Sequence, residues 1–400
     1  MDDRIVTIEK VVFGGKGLSR DLEKVTFVPF TLPGETARIR IKKQHHDYLE
    51  ADVLEIIQPS PDRVPPECGY FGICGGCSLS HAGYPAQVRL KLGMLRESMS
   101  RAGIQHPPVE TVAAEPTAYR HRAQLKYDSN NRALGFFRAE TNRVVDIQEC
   151  LCLAPGLNGL LKALRNALTP VSVAGLSGIE CFENDRGETA VYFNARLPDT
   201  VREQLSGVTK VFDSTEKQFA PLTIRFREKN YPMHPDIFLQ VNPRLWKAMI
   251  QEVESHHPNS TGMTAVELYC GAGFFTVPLS NLFKNTIACE ENPAAIRYAR
   301  ENHSHANVKW ICEKAENLSF PVEAEVVILD PPRTGLHRKV IRQLIERRPA
   351  RISYISCDCS SFARDVKKLD PYYLIDKITL MDLFPQTFHF ETIALLEKRR

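Results

Sequence analysis

Residues 266–279 read V-E-L-Y-C-G-A-G-F-F-T-V-P-L, an apolar run that meets a glycine turn and continues into the start of a helix. Strand, glycine turn and helix form the opening unit of a doubly wound sheet, and Gly271 and Gly273 let the backbone approach a ligand where a side chain would collide. A tight turn alone would also account for a lone G-x-G, so the flanking segments decide. From about residue 235 onward, T-A-V-E-L-Y, N-T-I-A-C-E, V-K-W-I-C-E, E-V-V-I-L-D and R-I-S-Y-I-S alternate with helical or loop stretches. That alternation predicts an α/β fold with a parallel, doubly wound sheet. Glu290 ends the strand after the glycine turn, 17 residues beyond Gly273, where an acidic side chain can accept hydrogen bonds from both ribose hydroxyls. Asp330 ends a later strand in I-L-D-P-P-R. These strand ends converge on one crevice at the carboxyl edge of the sheet. With no third glycine and no phosphate-binding lysine, S-adenosylmethionine fits the crevice better than a dinucleotide or a triphosphate.

The strand R-I-S-Y-I-S runs into Cys357, and D-C-S-S-F-A-R-D then begins a helix. A thiol at a sheet edge beside a helix start is expected to feel a field that favours the thiolate. A cysteine after an apolar strand is, taken alone, more often a small buried hydrophobe. A thiolate is nonetheless what uracil chemistry requires, because carbon 5 is a poor nucleophile until sulfur adds at carbon 6 and pushes electron density onto it. After methyl transfer a base must take the carbon 5 proton so that the thiol can leave. Glu391, in F-H-F-E-T, is the candidate base.

Upstream, residues 1–58 read as short strands separated by turns, the pattern of a small β-barrel. In A-R-I-R-I-K, Arg38, Arg40 and Lys42 share one strand face, either a nucleic-acid contact or a solvated surface. The segment is not basic overall, with 9 Lys and Arg against 10 Asp and Glu. Residues 59–66 hold four prolines in eight positions and mark a linker. A central domain follows over 59–234, in which 85–103 has helical periodicity and is expected to pack on the catalytic domain, and 119–226 reads mostly as strands and turns, with a helix near 155–168. The catalytic α/β domain takes 235–400. Cys68, Cys74 and Cys77 cluster in C-G-Y-F-G-I-C-G-G-C, and Cys150 and Cys152 follow downstream. Clustered thiols with a C-x-x-C pair point to metal, zinc or a 4Fe-4S cluster, with Cys150 and Cys152 competing as fourth ligand. His81 reads as an ordinary loop residue. Between 119 and 143, Arg120, Arg122, Lys126, Arg132, Arg138 and Arg143 interleave with Tyr119, Tyr127, Phe136 and Phe137, against only Asp128 and Glu140. Such mixing suits unpaired nucleotides, although strand core plus a solvated arginine face would look the same.

Composition is that of a folded globular chain: 400 residues, 43% hydrophobic, 25% charged, net charge +3. The first residues carry no apolar export signal and no run is long enough to span a bilayer, so a cytoplasmic protein with reduced thiols is expected. No obligate protein partner is evident, and a monomer is expected.

Several of these motifs, in this order, resemble the RNA uracil-5-methyltransferases over nearly the whole length: the TRAM-like barrel, the cysteine cluster, Q-V-N at 240–242, E-L-Y-C-G-A-G-F-F-T-V-P-L, L-D-P-P-R-T-G, S-C-D with A-R-D, and H-F-E-T. The resemblance implies a class I methyltransferase domain behind a TRAM/OB-like barrel and a central α+β iron-sulfur domain. It implies Cys357 as nucleophile, Glu391 as base, and Gln240, Tyr269, Gly271, Gly273, Glu290 and Asp330 around S-adenosylmethionine. It also implies a 4Fe-4S cluster on Cys68, Cys74, Cys77 and Cys150, and an RNA substrate, 23S rRNA foremost, with transfer RNA as the alternative. The basic and aromatic residues Arg38, Arg40, Lys42, Arg120, Arg122, Lys126, Arg132, Phe136 and Arg138 are the candidate RNA contacts. Two positions depart from the family: Cys359 stands where proline is common, and Phe274 where asparagine often is. An amino-group methyltransferase would need an aromatic after Asp-Pro-Pro, where this chain has Arg333, and would need no cysteine; a non-catalytic iron-sulfur RNA-binding protein would have no use for Cys357 and Glu391.

Overall fold

The computed structural model describes residues 3–216, 222–303 and 305–400. The first six strands, between Asp3 and Gln58, form one sheet whose edge strands are Asp3–Thr7 and Lys10–Val11. Those edges are separated by only two residues of chain, so the sheet must curl back on itself. It wraps a small core of Val6, Ile8, Val28, Ala37, Ile39 and Ala51. A second six-stranded sheet runs between Arg122 and Asp213 and is backed by the helix Pro155–Leu168, whose leucines sit on the buried face.

The third sheet has eight strands. From one edge they run Val308–Cys312, Asn285–Glu290, Thr264–Leu268, Ala324–Leu329, Arg351–Ser356, Glu391–Lys398, Tyr373–Met381 and Glu110–Val112. The first five are parallel, and Glu391–Lys398 is antiparallel to both its neighbours. Thr264–Leu268 has its sequence successor on one side and Ala324–Leu329 on the other, so strand order reverses there, the place where such sheets open a ligand crevice. Val266, Leu268, Val327, Leu329, Ile352 and Tyr354 are fully buried, as strands covered on both faces require.

The helix expected over 85–103 spans Tyr84–Arg101, with Gly103 at φ +66° beyond its end. Its Met94, Leu95 and Met99 lie in the core of the eight-stranded sheet, beside Phe362 and Val366. The three-residue strand Glu110–Val112 pairs with Thr379–Met381. The catalytic sheet therefore draws a helix and a strand from the segment read as central domain. The hairpin Leu222–Phe226 and Lys229–Met233 likewise packs on Trp246 beneath that sheet. Among the described residues no helix is long and apolar enough to cross a membrane.

Candidate active site and cysteine cavity

Tyr269, Glu290, Asp330 and Cys357 sit where parallel strands end, and Glu391 where the antiparallel strand beside them begins. Leaving Thr264–Leu268, Tyr269 turns through φ +63°, a left-handed conformation that is costly for a residue with a Cβ and persists only where surrounding contacts hold it. Gly271 and Gly273 also have positive φ, +55° and +90°. A Cβ on Gly273 would lie 2.7 Å from the Trp310 ring, while one on Gly271 would meet almost nothing, leaving its face open. The Gly271 amide donates to Glu290 Oε2 at 3.1 Å and the Asn292 amide to Oε1 at 2.9 Å, so the two loops fix the Glu290 carboxylate. Tyr269 and Glu290 line a cavity of about 600 Å³ with Ala315, Pro332, His337 and Arg338. The last four were not singled out from the sequence. The run E-K-A-E after the strand Val308–Cys312 could have signalled one of them, since that strand ends at the same sheet edge.

A second group is buried beside it. Gln240 Nε2 donates to Asp330 Oδ2 at 3.3 Å, and Trp246 Nε1 donates to the Gln240 carbonyl at 3.0 Å. Cys357 follows the strand Arg351–Ser356, and Glu391 opens the antiparallel strand beside it, where Ser356 pairs with Thr392. The two therefore meet at one sheet edge. Burial pushes the Cys357 thiol up to about 12, with the Glu391 and Asp330 carboxyls raising it further and Arg333 opposing. Burial, then Asp330, holds Glu391 well above the usual carboxylate range. Asp330 rises to about 7, chiefly through burial. The expectation of a field favouring the thiolate is thus overturned. Asp358 caps the helix Cys359–Leu369, its carboxylate accepting from the Ser361 amide at 2.8 Å, and Cys357 faces two carboxyl groups instead of free helix amides. Glu391 Oε2 and Gln240 Oε1 are buried without a hydrogen-bond partner among the described residues, which fits a pocket completed by a polar ligand.

Motif neighbours brace this edge. Asp365 of A-R-D accepts from the Leu336 amide at 2.7 Å and from Tyr354 Oη at 3.1 Å, and Arg364 donates to the Thr334 carbonyl at 2.7 Å. Together they hold the P-R-T-G turn that carries Arg333, the cation facing Cys357 and Glu391. Its importance, like that of His389 at 3.4 Å from Arg333, was not read from the sequence. Cys359 is fully buried and its sulfur accepts from Ser98 Oγ at 3.2 Å.

Cys68, Cys74, Cys77, Cys150 and Cys152 line one cavity of about 630 Å³ with Arg120. The Cys150 loop is pinned by Asn158, which accepts from the Cys150 amide at 2.9 Å and donates to its carbonyl at 3.0 Å. Cys152 lies 3.9 Å from Cys77. Hydrogen bonding from Cys152 lowers the Cys77 thiol, and lowers Cys150 to about 6, with Arg120 assisting both. Burial raises Cys74 to about 11 and also raises Cys68. Among the described residues no three His, Cys, Asp or Glu side chains are arranged to hold a metal ion.

The candidate RNA residues divide. Arg38 pairs with Glu55 and Arg40 with Asp3, both at 3.1 Å, and Lys42 with Glu140 at 3.4 Å, all exposed. Lys126 lies 5.4 Å from the Phe137 ring, Phe136 packs against the core of the central sheet, Arg138 bridges to Cys74, and Arg132 sits in a turn at φ +52°. Arg120 and Arg122, expected among the RNA contacts, are bonded within the protein. Arg120 turns toward the cysteines and Tyr119 Oη, while Arg122 donates to the Ile237 and Pro235 carbonyls and pairs with Glu180.

Comparison with known proteins bears on this arrangement. The model of the tRNA (Uracil-5-)-methyltransferase family matches residues 206–323 and 317–399, and the TRAM domain model matches 4–54. A 23S rRNA (uracil(1939)-C(5))-methyltransferase of Marinomonas sp. (strain MWYL1) is 30% identical over 98% of this chain and 94% of its own. The chain belongs to the RNA uracil-C5-methyltransferase family. An uncharacterized RNA methyltransferase of Aquifex aeolicus (strain VF5) is 32% identical over 98% of both chains. The Pyrococcus abyssi tRNA (uracil-54, C5)-methyltransferase, solved with S-adenosyl-L-homocysteine, superposes with a TM-score of 0.76 at 25% identity, covering 98% of this chain and 100% of that one. The methyltransferase is accordingly an S-adenosylmethionine-dependent enzyme that methylates carbon 5 of uracil in RNA.

Proposed function

We propose that this chain methylates one uridine of 23S rRNA, with Cys357 as nucleophile and Glu391 as base. The observation that supports it is the pairing, at one sheet edge, of a thiol with a buried carboxyl group that has an unpartnered oxygen. S-adenosylmethionine supplies the electrophilic methyl group and a positive charge beside an acidic pocket. Gln240 and Asp330, joined at 3.3 Å, and Glu290 orient it. Cys357 would lose its proton to solvent and add to carbon 6 as the thiolate, carbon 5 would take the methyl group as the cofactor's sulfur leaves as a thioether, and Glu391 as its carboxylate would accept the carbon 5 proton while the C–S bond breaks and the ring double bond re-forms. Arg333 offsets negative charge through these steps.

The ribosomal assignment follows the relatives named as 23S rRNA enzymes; the transfer RNA reading is favoured instead by the Pyrococcus fold match. Cys68, Cys74, Cys77 and Cys150 would hold a 4Fe-4S cluster. The fit rests on their convergence on one cavity with Arg120 to balance thiolate charge. A cluster there would cross-link the 68–77 loop to the Cys150 loop. Cytoplasmic work, the expected site, suits a ribosomal RNA substrate and reduced thiols.

The test is mass-spectrometric mapping of 5-methyluridine in total RNA from cells with and without the gene. Loss of one 23S rRNA site is the expected result. Loss confined to transfer RNA refutes the ribosomal assignment, and no loss anywhere refutes both.

A further inference from the structure

Glu391 is delivered by the loop 382–390, and that loop is held from outside the catalytic sheet. At its apex Gln386 has φ +69°, a left-handed conformation that a residue with a side chain adopts only under constraint. The constraint is visible. The Ser78 and Leu79 amides both donate to the Gln386 carbonyl, at 3.0 and 2.9 Å. The Gln386 amide donates to Gln87 Oε1 at 2.9 Å, and Gln87 Nε2 donates back to Gln386 Oε1 at 3.0 Å. The Phe388 amide donates to Ser78 Oγ at 3.0 Å, and Tyr119 Oη to the Pro385 carbonyl at 3.0 Å. Ser78 follows Cys77 directly and Tyr119 lines the cysteine cavity, so these two tethers come from its rim, while Gln87 reaches the loop from the helix Tyr84–Arg101. None of these residues reaches the cofactor crevice or Cys357.

We infer that Ser78 and Gln87 are positioning residues for Glu391, acting on the elimination step and not on methyl transfer. The inference rests on the assignment of Glu391 as base. Cys357 addition and methyl transfer move no proton to Glu391, whose carboxyl then bears on the thiol only through its charge. The last step needs its carboxylate aimed at carbon 5: the proton passes to Glu391, the C5–H electrons become the C5–C6 double bond, and the C6–S bond breaks to release the Cys357 thiolate. A loosened loop therefore stalls the enzyme as a methylated covalent RNA adduct.

The experiment uses the full chain, S-adenosylmethionine labelled in the methyl group, and total RNA from cells lacking the gene. Three quantities are read: methyl incorporated in a first turnover with enzyme in excess, steady-state turnover, and label on protein–RNA complexes that survive detergent. For Ser78→Ala, and independently Gln87→Leu, first-turnover methylation is expected within about twofold of wild type. Turnover should fall about tenfold, the scale of a small misplacement of a proton acceptor, and detergent-resistant label should rise. Ser78→Thr, which keeps the hydroxyl, should restore turnover. A fall in turnover with no extra protein-bound label, or no change in either, overturns the inference. Glu391→Gln separates the two layers: if it too accumulates no adduct, the base assignment fails, whereas accumulation there but not in the Ser78 and Gln87 variants refutes only the positioning role.

Discussion

A thiol whose pKa is pushed up to about 12 keeps its proton at neutral pH, so the proposed nucleophile begins each cycle in its unreactive form. The sign of the pH dependence follows. Below 12 the thiolate fraction grows tenfold with each pH unit, and kcat/KM, which reports the free enzyme, should climb with a slope approaching +1 in its logarithm between pH 6.5 and 9. A profile flat across that window would mean that Cys357 is not the group ionising. Alkylation of Cys357 by iodoacetamide should be slow for the same reason and quicken once a cation occupies the crevice. Cys359, two residues on, has a different place: it is sealed between two helices with its sulfur bonded to Ser98. Cys359→Ala should keep wild-type turnover and lose about 1 kcal/mol of stability in denaturant titration; a loss of turnover would bring the second thiol into the chemistry. These residue types were legible in the sequence because motif order carries them. Their electrostatics were not, since the thiol's pKa depends on Glu391, Asp330 and Arg333, which approach it from two other segments.

The element that does most beyond its own length is the helix Tyr84–Arg101. Its periodicity was readable, and so was its apolar face. Its packing on the catalytic domain was expected too; the individual partners were not, because they lie some 260 to 300 residues away in sequence, and no local pattern encodes them. Glu110–Val112 was invisible for a related reason, being three residues long and stabilised by pairing to Thr379–Met381. The helix also buries Lys91, whose ammonium donates to Asp382 at 2.6 Å and to the Phe384 carbonyl at 3.0 Å, with neither side chain exposed. Burial lowers the Lys91 pKa while Asp382 opposes that shift. Lys91→Met leaves Asp382 buried without its cation and should cost about 3–5 kcal/mol, whereas Lys91→Met with Asp382→Leu should recover most of it. Chemical denaturation of the two variants checks this; equal stability in both would mean that the ion pair does not anchor the loop leading to Glu391.

At the scale of the whole molecule the three sheets are joined by fixed contacts. Phe13 of the N-terminal sheet packs edge-on against Phe388 and Phe390, with ring centroids 5.3 and 6.1 Å apart, on the loop that precedes Glu391. The proline-rich 59–66 stretch was read as a linker, and composition supports that, but composition does not reveal what the linker's charged residues grasp. Arg63 donates to the fully buried Glu35 and to the Phe30 carbonyl, and the Leu32 and Ser60 amides also reach Glu35. Burial alone would raise the Glu35 carboxyl, yet Arg63 and the two amides hold it below the usual range. A depressed folded-state pKa means that this contribution to stability is present above the unfolded carboxylate pKa and is lost as pH falls through the folded value. Two outcomes follow for limited proteolysis of the full chain. At pH 7 wild type should resist cleavage within 59–66, while Arg63→Ala, which leaves Glu35 buried and unpaired, should be cut about a hundredfold faster, the factor matching a loss of ~3 kcal/mol in local stability. Arg63→Ala with Glu35→Gln should fall between them, because a neutral amide tolerates burial better than an orphaned carboxylate. If all three proteins are cut at one rate, the N-terminal sheet is free to move relative to the catalytic edge, and the packing of Phe13 beside Glu391 no longer constrains the site.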